Sequence, residues 1–143
     1  VSPAAGHIHP DGTGLVFAPH HYDFGLLFGG RWSGIEPGPP LRPLAELRAE
    51  HGVPILLGEF GIADGAVGGT EWLGKVMNIV DEERYSTTLW EYSVSAERWN
   101  LENLSVVNDD GTPRAVLDAY VRPWLRAVPG PPPPHSAQNC PYR

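Results

Sequence analysis

Three short apolar segments of this 143-residue chain each run into side chains that could do chemistry. The groups at their ends are, in order, His20-His21-Tyr22-Asp23, Glu59 and Trp90-Glu91-Tyr92-Ser93. Imidazole and carboxyl groups can accept and release protons, and a carboxylate can also act as a nucleophile. The ends of these three segments are therefore the candidate site.

Glu59 lies between two glycines in the tetrapeptide Gly58-Glu59-Phe60-Gly61. A retaining glycosidase needs a carboxylate nucleophile, together with a second carboxyl group about 5 Å away that acts first as acid and then as base. Glu59 could supply the nucleophile, and its small neighbours would let a sugar ring approach closely. The tetrapeptide by itself also fits a helix cap or a structural ion pair, so the other segments must decide.

Composition and charge argue against several other functions. The net charge is −7 and the ten basic residues are scattered, which disfavours a nucleic-acid partner and favours an uncharged or zwitterionic substrate. The apolar runs are too short to cross a bilayer, so no transmembrane segment is expected. The single cysteine, Cys140, allows no internal disulfide.

The three apolar segments predict buried strands at residues 15–19, 53–58 and 85–90. Between them, helical spacing predicts a helix from Pro43 to a stop at Gly52. A long Gly/Pro-rich loop is predicted from Asp23 to Pro43. A second helix is predicted from Glu71 to Arg84, with Thr70 as its N-cap and one apolar face formed by Trp72, Val76, Ile79 and Val80. A turn at Asn108–Gly111 then precedes a last helix from Pro113 to about Leu125.

This alternation of strands and helices predicts an α/β fold with parallel strands. Polar residues at the carboxyl ends of all three strands are typical of the active face of a (β/α)₈ barrel. Because a whole barrel takes about 250 residues, the chain is expected to hold about three of the eight units. A doubly wound sheet stays open, although no glycine-rich phosphate loop is found.

The three segment ends, in their order, resemble strands six, seven and eight of glycoside hydrolase family 5. That (β/α)₈ superfamily includes cellulases, mannanases and endoglycoceramidases. Its His-x-Tyr on strand six matches His20 and Tyr22, its strand-seven nucleophile matches Glu59, and its strand-eight tryptophan matches Trp90. The resemblance therefore implies the last three βα units of such a barrel.

The resemblance also implies roles for the matched residues. Glu59 would be the catalytic nucleophile, oriented by the Tyr22 hydroxyl, with His20 bonded to substrate or to the catalytic carboxyl groups. Trp90 would form the floor under the sugar, and we expect His21 and Glu91 to contact substrate as well. No cofactor is implied.

Other interpretations of the same residues stay open. His20 and His21 could be rim histidines with satisfied hydrogen bonds, or could join His7 and His9 in a metal site, which the absence of usual ligand spacing disfavours. Trp90 considered by itself would more often be a core residue.

Within the family, Trp90-Glu91-Tyr92-Ser93 and the Pro-His-x-Tyr-Asp pattern are most similar to the endoglycoceramidase and glucosylceramidase branch. This implies a carbohydrate or glycolipid substrate and favours a secreted or extracellular location. We expect an irregular lead-in at residues 1–14, the C-terminal part of the barrel domain at residues 15–130, and a Pro-rich disordered tail at residues 131–143.

The main departure from the family concerns its acid/base glutamate, which follows an asparagine on strand four. No Asn-Glu-Pro occurs here, and Asn100-Leu101-Glu102 lies downstream of the third strand. We therefore expect the N-terminal half of the barrel to be missing and the chain to be inactive by itself. The alternatives are an endoglycanase of the cellulase or mannanase type, a non-catalytic carbohydrate-binding remnant, or an unrelated small α/β protein.

Overall fold

The computed structural model of this chain describes residues 14–28, 30–94 and 103–123. The predictions for the tail at 131–143, for Asn100-Leu101-Glu102 and for nearly all of the lead-in lie outside these residues. Within them, every helix is too short or too polar to cross a membrane.

Parallel strands form the centre of the described structure, as predicted. Strand β1 (Leu56–Leu57) pairs with β2 (Ser86–Thr87) in parallel, with Leu56 opposite Ser86. On the other side of β1, residues 17–20 run parallel to residues 55–59 through two isolated bridges. The spatial order of the three segments is therefore their order along the chain.

The strands are shorter than the sequence predicts. Pro19 and Pro54 lie inside the predicted strands, and each can offer its carbonyl to a neighbouring strand but has no N–H to donate. The Pro54 carbonyl accepts from the Phe17 amide at 3.0 Å, and the Pro19 carbonyl accepts from the Gly58 amide at 2.9 Å. The first segment is thus held by a few bonds and does not form a continuous ladder.

Two longer helices cross between the strands. Helix α3 (Pro43–His51) ends at Gly52, whose φ of 66° lies in the left-handed region that glycine adopts readily. Helix α4 (Gly69–Glu83) has Gly68, with φ 77°, as its N-cap. The predicted N-cap Thr70 is therefore wrong, because Gly68 makes the turn into the helix and Thr70 lies in its first turn.

The face predicted for α4 is its buried face. Burial recurs along it at helical spacing, and each large apolar side chain removed from water contributes about 1.5–3 kcal/mol relative to leaving it exposed. The buried residues of α4 are Gly69, Trp72, Leu73, Val76, Met77, Ile79 and Val80. All of them except Gly69 form one cluster with Leu26, Leu41, Leu44, Ile55, Leu57 and Phe60, which places α4 over the strands as the main cover of the core.

The segment from Asp23 to Pro43, predicted as a loop, contains two short helices. Helix α1 (Phe24–Phe28) follows Asp23, whose carboxylate accepts the Leu26 amide at 3.0 Å and so satisfies one of the unpaired donors of the first turn. Helix α2 (Gly38–Leu41) follows Pro37 and carries prolines in its first turn, where they are tolerated.

The last helix is also shorter than predicted. Helix α5 (Val116–Tyr120) begins three residues late because Arg114 is still bonded to the preceding segment, its amide donating to the Val106 carbonyl at 2.9 Å. It ends where Val121 turns extended, two residues before Pro123, which disfavours helical backbone at the residue before it. The predicted turn at Asn108–Gly111 is confirmed by the 2.8 Å bond from the Gly111 amide to the Asn108 carbonyl.

Two glycines give opposite predictions for stability. Gly52→Ala places a Cβ in open space but at positive φ, so we expect a loss of about 1 kcal/mol in the free energy of unfolding. Gly74→Ala, inside α4 and also with open space at the Cβ position, should add about 0.5–1 kcal/mol because alanine favours helix. Urea unfolding of both variants checks this, and equal effects would contradict the assigned backbone geometry.

Candidate active site

Glu59 lies just beyond β1, at the carboxyl end of the central segment. Its backbone is bridged to His20, and its carbonyl accepts the His21 amide at 2.9 Å. The side chain is 32% exposed, so the carboxylate is held by the sheet but open to a ligand.

Two side chains from the first segment approach one oxygen of this carboxylate. The Tyr22 hydroxyl donates to Oε2 of Glu59 at 3.2 Å, and His20 Nδ1 lies 3.2 Å from the same oxygen. An ionised carboxylate can only accept, so the phenol must be the donor. The contact expected between Tyr22 and Glu59 is present, whereas the catalytic roles of the three residues stay predictions.

The second oxygen of the carboxylate has a different environment. No residue in the described part of the chain donates a hydrogen bond to Oε1 of Glu59. The two oxygens are therefore unequal: Oε2 is fixed by the protein, and Oε1 is available to a bound molecule.

Packing limits the space at both Gly58 and Gly61, most severely at Gly61. A Cβ on Gly58 would lie 3.2 Å from Cδ2 of the His20 ring, and a Cβ on Gly61 would lie 2.1 Å from the Trp90 carbonyl oxygen. Neither glycine has a positive φ, so the requirement is steric. Gly58 makes room for His20, and Gly61 lets the strand carrying Trp90 approach the strand carrying Glu59.

Trp90 and Glu91 follow β2 and lie beside this close approach. The Trp90 amide donates to the Phe60 carbonyl at 2.9 Å, and the peptide bond between Trp90 and Glu91 is cis. The Glu91 backbone pairs with the 104–106 segment, accepting the Val106 amide at 2.9 Å. Both side chains are half-buried. Their roles in substrate binding stay predictions.

His21 lies apart from the Glu59 carboxylate. Its ring stacks on Trp72 of α4, with centroids 5.5 Å apart and an interplanar angle of 26°, and its Nε2 is buried with no hydrogen-bond partner in the described structure. Burial lowers the pKa of His21 to about 4, and the Asp23 carboxylate acts in the opposite direction. The ring is therefore neutral near pH 7 and packs, half-buried, against the core residue Trp72. Its predicted contact with substrate stays untested.

Asp23 lies at the end of the first segment, and the sequence assigns it no role of its own. It is 7% exposed and accepts hydrogen bonds from Leu26 and from both the amide and the hydroxyl of Ser33. Its position just before a helix-forming stretch is a recognisable capping pattern. The bond to Ser33, ten residues away, has no local pattern that could have predicted it.

The metal alternative finds no support in this arrangement. Within residues 14–28, 30–94 and 103–123, no three His, Cys, Asp or Glu side chains are grouped as metal ligands would be. His7 and His9 lie outside the described residues.

The structure of this chain is similar to parts of several solved structures. The structure of the cellulose synthase subunit CcsZ from Clostridioides difficile is similar, with a TM-score of 0.63 and 17% identity over 80% of this chain and 43% of that one. Cel5A of Thermotoga maritima, solved with a mannotriose substrate, has a TM-score of 0.61 and 18% identity over 80% of this chain and 42% of Cel5A. Endoglycoceramidase II from a Rhodococcus species has a TM-score of 0.51 and 20% identity over 82% of this chain and 25% of the endoglycoceramidase.

The chain has the fold of part of a TIM barrel. It spans less than half the length of these enzymes. At this level of identity the similarity shows the fold and leaves the assignment to strands six, seven and eight as a prediction. No known protein family matched the sequence, and no curated protein matched it either.

The close approach at Gly61 gives a test of the site's packing. Gly61→Ala would drive a Cβ into the Trp90 carbonyl, so we expect the free energy of unfolding to fall by about 1–3 kcal/mol. Urea unfolding measures this, with Gly74→Ala as the control for adding a methyl group where space is open. An unchanged midpoint for Gly61→Ala would contradict the close approach.

His21 gives a prediction about pH. Its pKa is about 4 in the folded chain and near its ordinary 6.5 when unfolded, so the unfolded chain binds the extra proton between these values. The stability that neutral His21 contributes is therefore complete above pH 6.5 and is lost as the pH falls towards 4, at up to about 1.4 kcal/mol per pH unit. His21→Phe keeps an aromatic ring on Trp72 and should flatten this dependence in urea unfolding at pH 5–7. A slope equal to wild type would contradict the buried, neutral histidine.

Proposed function

We propose that this chain is part of a retaining glycoside hydrolase in which Glu59 is the nucleophile. The observation that carries the proposal is the arrangement around Oε2 of Glu59, where the Tyr22 hydroxyl and His20 Nδ1 each lie at 3.2 Å. The family 5-like fold supports it, because active sites of TIM barrels lie at the carboxyl ends of their strands.

Tyr22 and His20 both lie against the same oxygen of the carboxylate. The hydrogen bond from the Tyr22 hydroxyl and the nearby His20 ring favour one rotation of the Glu59 side chain, with Oε2 held by the protein and Oε1 directed towards a bound sugar. This prior positioning removes part of the entropic cost of bringing the nucleophile to the anomeric carbon.

The reaction proceeds by double displacement. In the first step Oε1 of Glu59 forms a bond to the anomeric carbon while the bond to the leaving oxygen breaks, and that oxygen takes a proton from a second carboxyl group. In the second step this second carboxyl group, now ionised, removes a proton from water. The water oxygen attacks the anomeric carbon, and the bond from that carbon to Glu59 breaks. Atoms and charge balance over the two steps.

The second carboxyl group is proposed to come from a part of the barrel not contained in this sequence. The family places its acid/base glutamate after an asparagine on strand four, and no Asn-Glu-Pro occurs here. The chain by itself is therefore expected to hydrolyse natural glycosides very slowly, since their leaving groups need a proton. Trp90 would provide the apolar surface under the sugar, with Glu91 and His21 as further contacts.

The proposed substrate is a β-linked glycosphingolipid. The Trp90-Glu91-Tyr92-Ser93 and Pro-His-x-Tyr-Asp patterns support this choice, and endoglycoceramidase II is among the similar structures. A second candidate is an endoglycanase acting on cellulose-type or mannan-type chains, favoured by the higher TM-scores of CcsZ and Cel5A.

The nucleophile can be tested with a 2-deoxy-2-fluoroglycosyl fluoride. Fluoride leaves without a proton, so the reagent needs no acid carboxyl group, and the fluorine at carbon 2 slows release of the covalent intermediate. We expect wild-type chain to gain one sugar on the peptide containing Glu59, detected by mass spectrometry of the intact and the digested protein. Glu59→Gln should lose the label, and Glu46→Gln, on the exposed side of α3, should keep it.

The outcomes separate the proposals. Label on another residue, label that persists in Glu59→Gln, or no label on wild type at saturating reagent would each overturn the nucleophile assignment. Competitors then test the substrate class: glucosylceramide in detergent micelles should protect Glu59 at lower concentration than cellobiose or mannotriose. Better protection by either oligosaccharide would favour the endoglycanase.

A further inference from the structure

Asp23 follows Tyr22 directly and is buried at the edge of the candidate site. Its Oδ1 accepts the amides of Leu26 at 3.0 Å and Ser33 at 3.1 Å, and its Oδ2 accepts the Ser33 hydroxyl. A carboxylate 7% exposed would be costly without such partners. These hydrogen bonds hold Asp23 in place. Within the described structure, Asp23 has no hydrogen bond to Glu59 or to His20.

These bonds close a loop that runs from residue 23 to residue 33. Inside it the Arg31 amide donates to the Gly25 carbonyl at 3.0 Å. A Cβ on Gly25 would lie 2.3 Å from the Arg31 carbonyl oxygen, so the two limbs of the loop touch through their backbones. The loop is therefore a compact unit whose two ends are joined by the Asp23 carboxylate.

The same loop is paired with the loop that follows Glu59. The Val67 amide donates to the Gly30 carbonyl at 2.9 Å, and the Trp32 amide donates to the Val67 carbonyl at 2.9 Å. Arg31 and Val67 form a parallel bridge at this point. Asp23 thus connects the segment carrying Tyr22, through its own loop, to the loop that leaves the Glu59 strand.

The charge of Asp23 is kept by its donors. Burial acts to raise the pKa of this carboxyl, but the hydrogen bonds from Ser33, Leu26 and Gly25 outweigh it and hold the pKa below its ordinary value. The group therefore remains an acceptor for all of these donors across the neutral range.

We propose that Asp23 is a positioning residue, which fixes the Tyr22 hydroxyl on Glu59 by locking the loop at 23–33 against the loop at 66–68. The positioning of Tyr22 does not depend on the proposed function. Its effect on catalysis does, because that effect requires Glu59 to be the nucleophile. The juxtaposition itself belongs to the described structure: Tyr22 is bonded to Glu59 through its side chain, and the residue that follows it is bonded to Ser33 on the far side of the loop.

Asp23→Asn tests the role because it preserves size but replaces one accepting oxygen by an NH₂ group. Asn keeps one oxygen that can accept the Leu26 and Ser33 amides, but its NH₂ group can only donate to the Ser33 hydroxyl, and the charged acceptor is lost. Because hydrogen bonds to a charged acceptor are roughly twice as strong as neutral ones, the closure of the loop should weaken. In chain labelled with ¹³C-tyrosine, the Cζ resonance of Tyr22, assigned with Tyr22→Phe, reports its bond to the carboxylate. We expect Asp23→Asn to move this resonance towards its position in Glu59→Gln, where the charged acceptor is gone.

Hydrogen exchange gives the second readout. The Leu26, Ser33, Trp32 and Val67 amides should exchange about tenfold faster in Asp23→Asn, as expected for local opening. The Thr88 and Trp90 amides, bonded within the sheet, should keep their wild-type rates. Asp109→Asn removes the same charge from an exposed turn and should change neither readout.

Each outcome decides the proposal. An unmoved Tyr22 resonance in Asp23→Asn overturns it. If that variant unfolds, so that the Thr88 and Trp90 amides also exchange rapidly, Ser33→Ala decides: it leaves the carboxylate and its amide donors in place and should move the Tyr22 resonance part of the way, whereas a wild-type position overturns the proposal. Neither readout needs turnover, so failure of Glu59 to accept a fluorosugar leaves this result standing.

Discussion

The candidate site depends on the parallel register of three chain segments. Because β1 lies between the segment at 17–20 and β2, the carboxyl ends of all three meet at one edge. That register brings Tyr22 and His20 to a single oxygen of Glu59, at 3.2 Å each. A shift of one residue in the pairing of residues 17–20 with residues 55–59 would move His20 and Tyr22 to the opposite face of the sheet, away from the Glu59 carboxylate.

Missing side chains are as important here as those present. Gly58 leaves room for the His20 ring, and Gly61 lets the Trp90 carbonyl approach to a distance that no Cβ would permit. Below this edge, α4 covers the strands with an almost continuous apolar face, and the His21 ring is packed into that cover against Trp72. The two neighbouring histidines therefore have different surroundings: His20 lies beside the Glu59 carboxylate, and His21 stacks on Trp72 as a neutral, half-buried ring.

Much of this could be predicted from the sequence, because the signals are local. Apolar runs that end in polar residues gave the parallel strands, helical spacing gave the buried face of α4, and Gly52 gave the end of α3. The contact of Tyr22 with Glu59 was expected from the resemblance to family 5, and its catalytic meaning is still a prediction.

Some differences from the prediction come from local residues: Pro19 and Pro54 break the ladder between the first two strands, and α4 begins at Gly69 because Gly68 makes the turn. Others depend on contacts between distant residues. The helix α1 and the loop after it depend on Asp23 reaching Ser33, which no pattern within either segment reveals. The stack of His21 on Trp72 likewise follows from how α4 lies on the strands.

A crystal structure of the chain after reaction with a 2-deoxy-2-fluoroglycosyl fluoride tests most directly whether Glu59 is the nucleophile. We expect a covalent bond from Oε1 of Glu59 to the anomeric carbon, with the Tyr22 hydroxyl and His20 Nδ1 still at Oε2. A sugar bonded through Oε2, or a Tyr22 hydroxyl that has left the carboxylate while the sugar is attached, would contradict it.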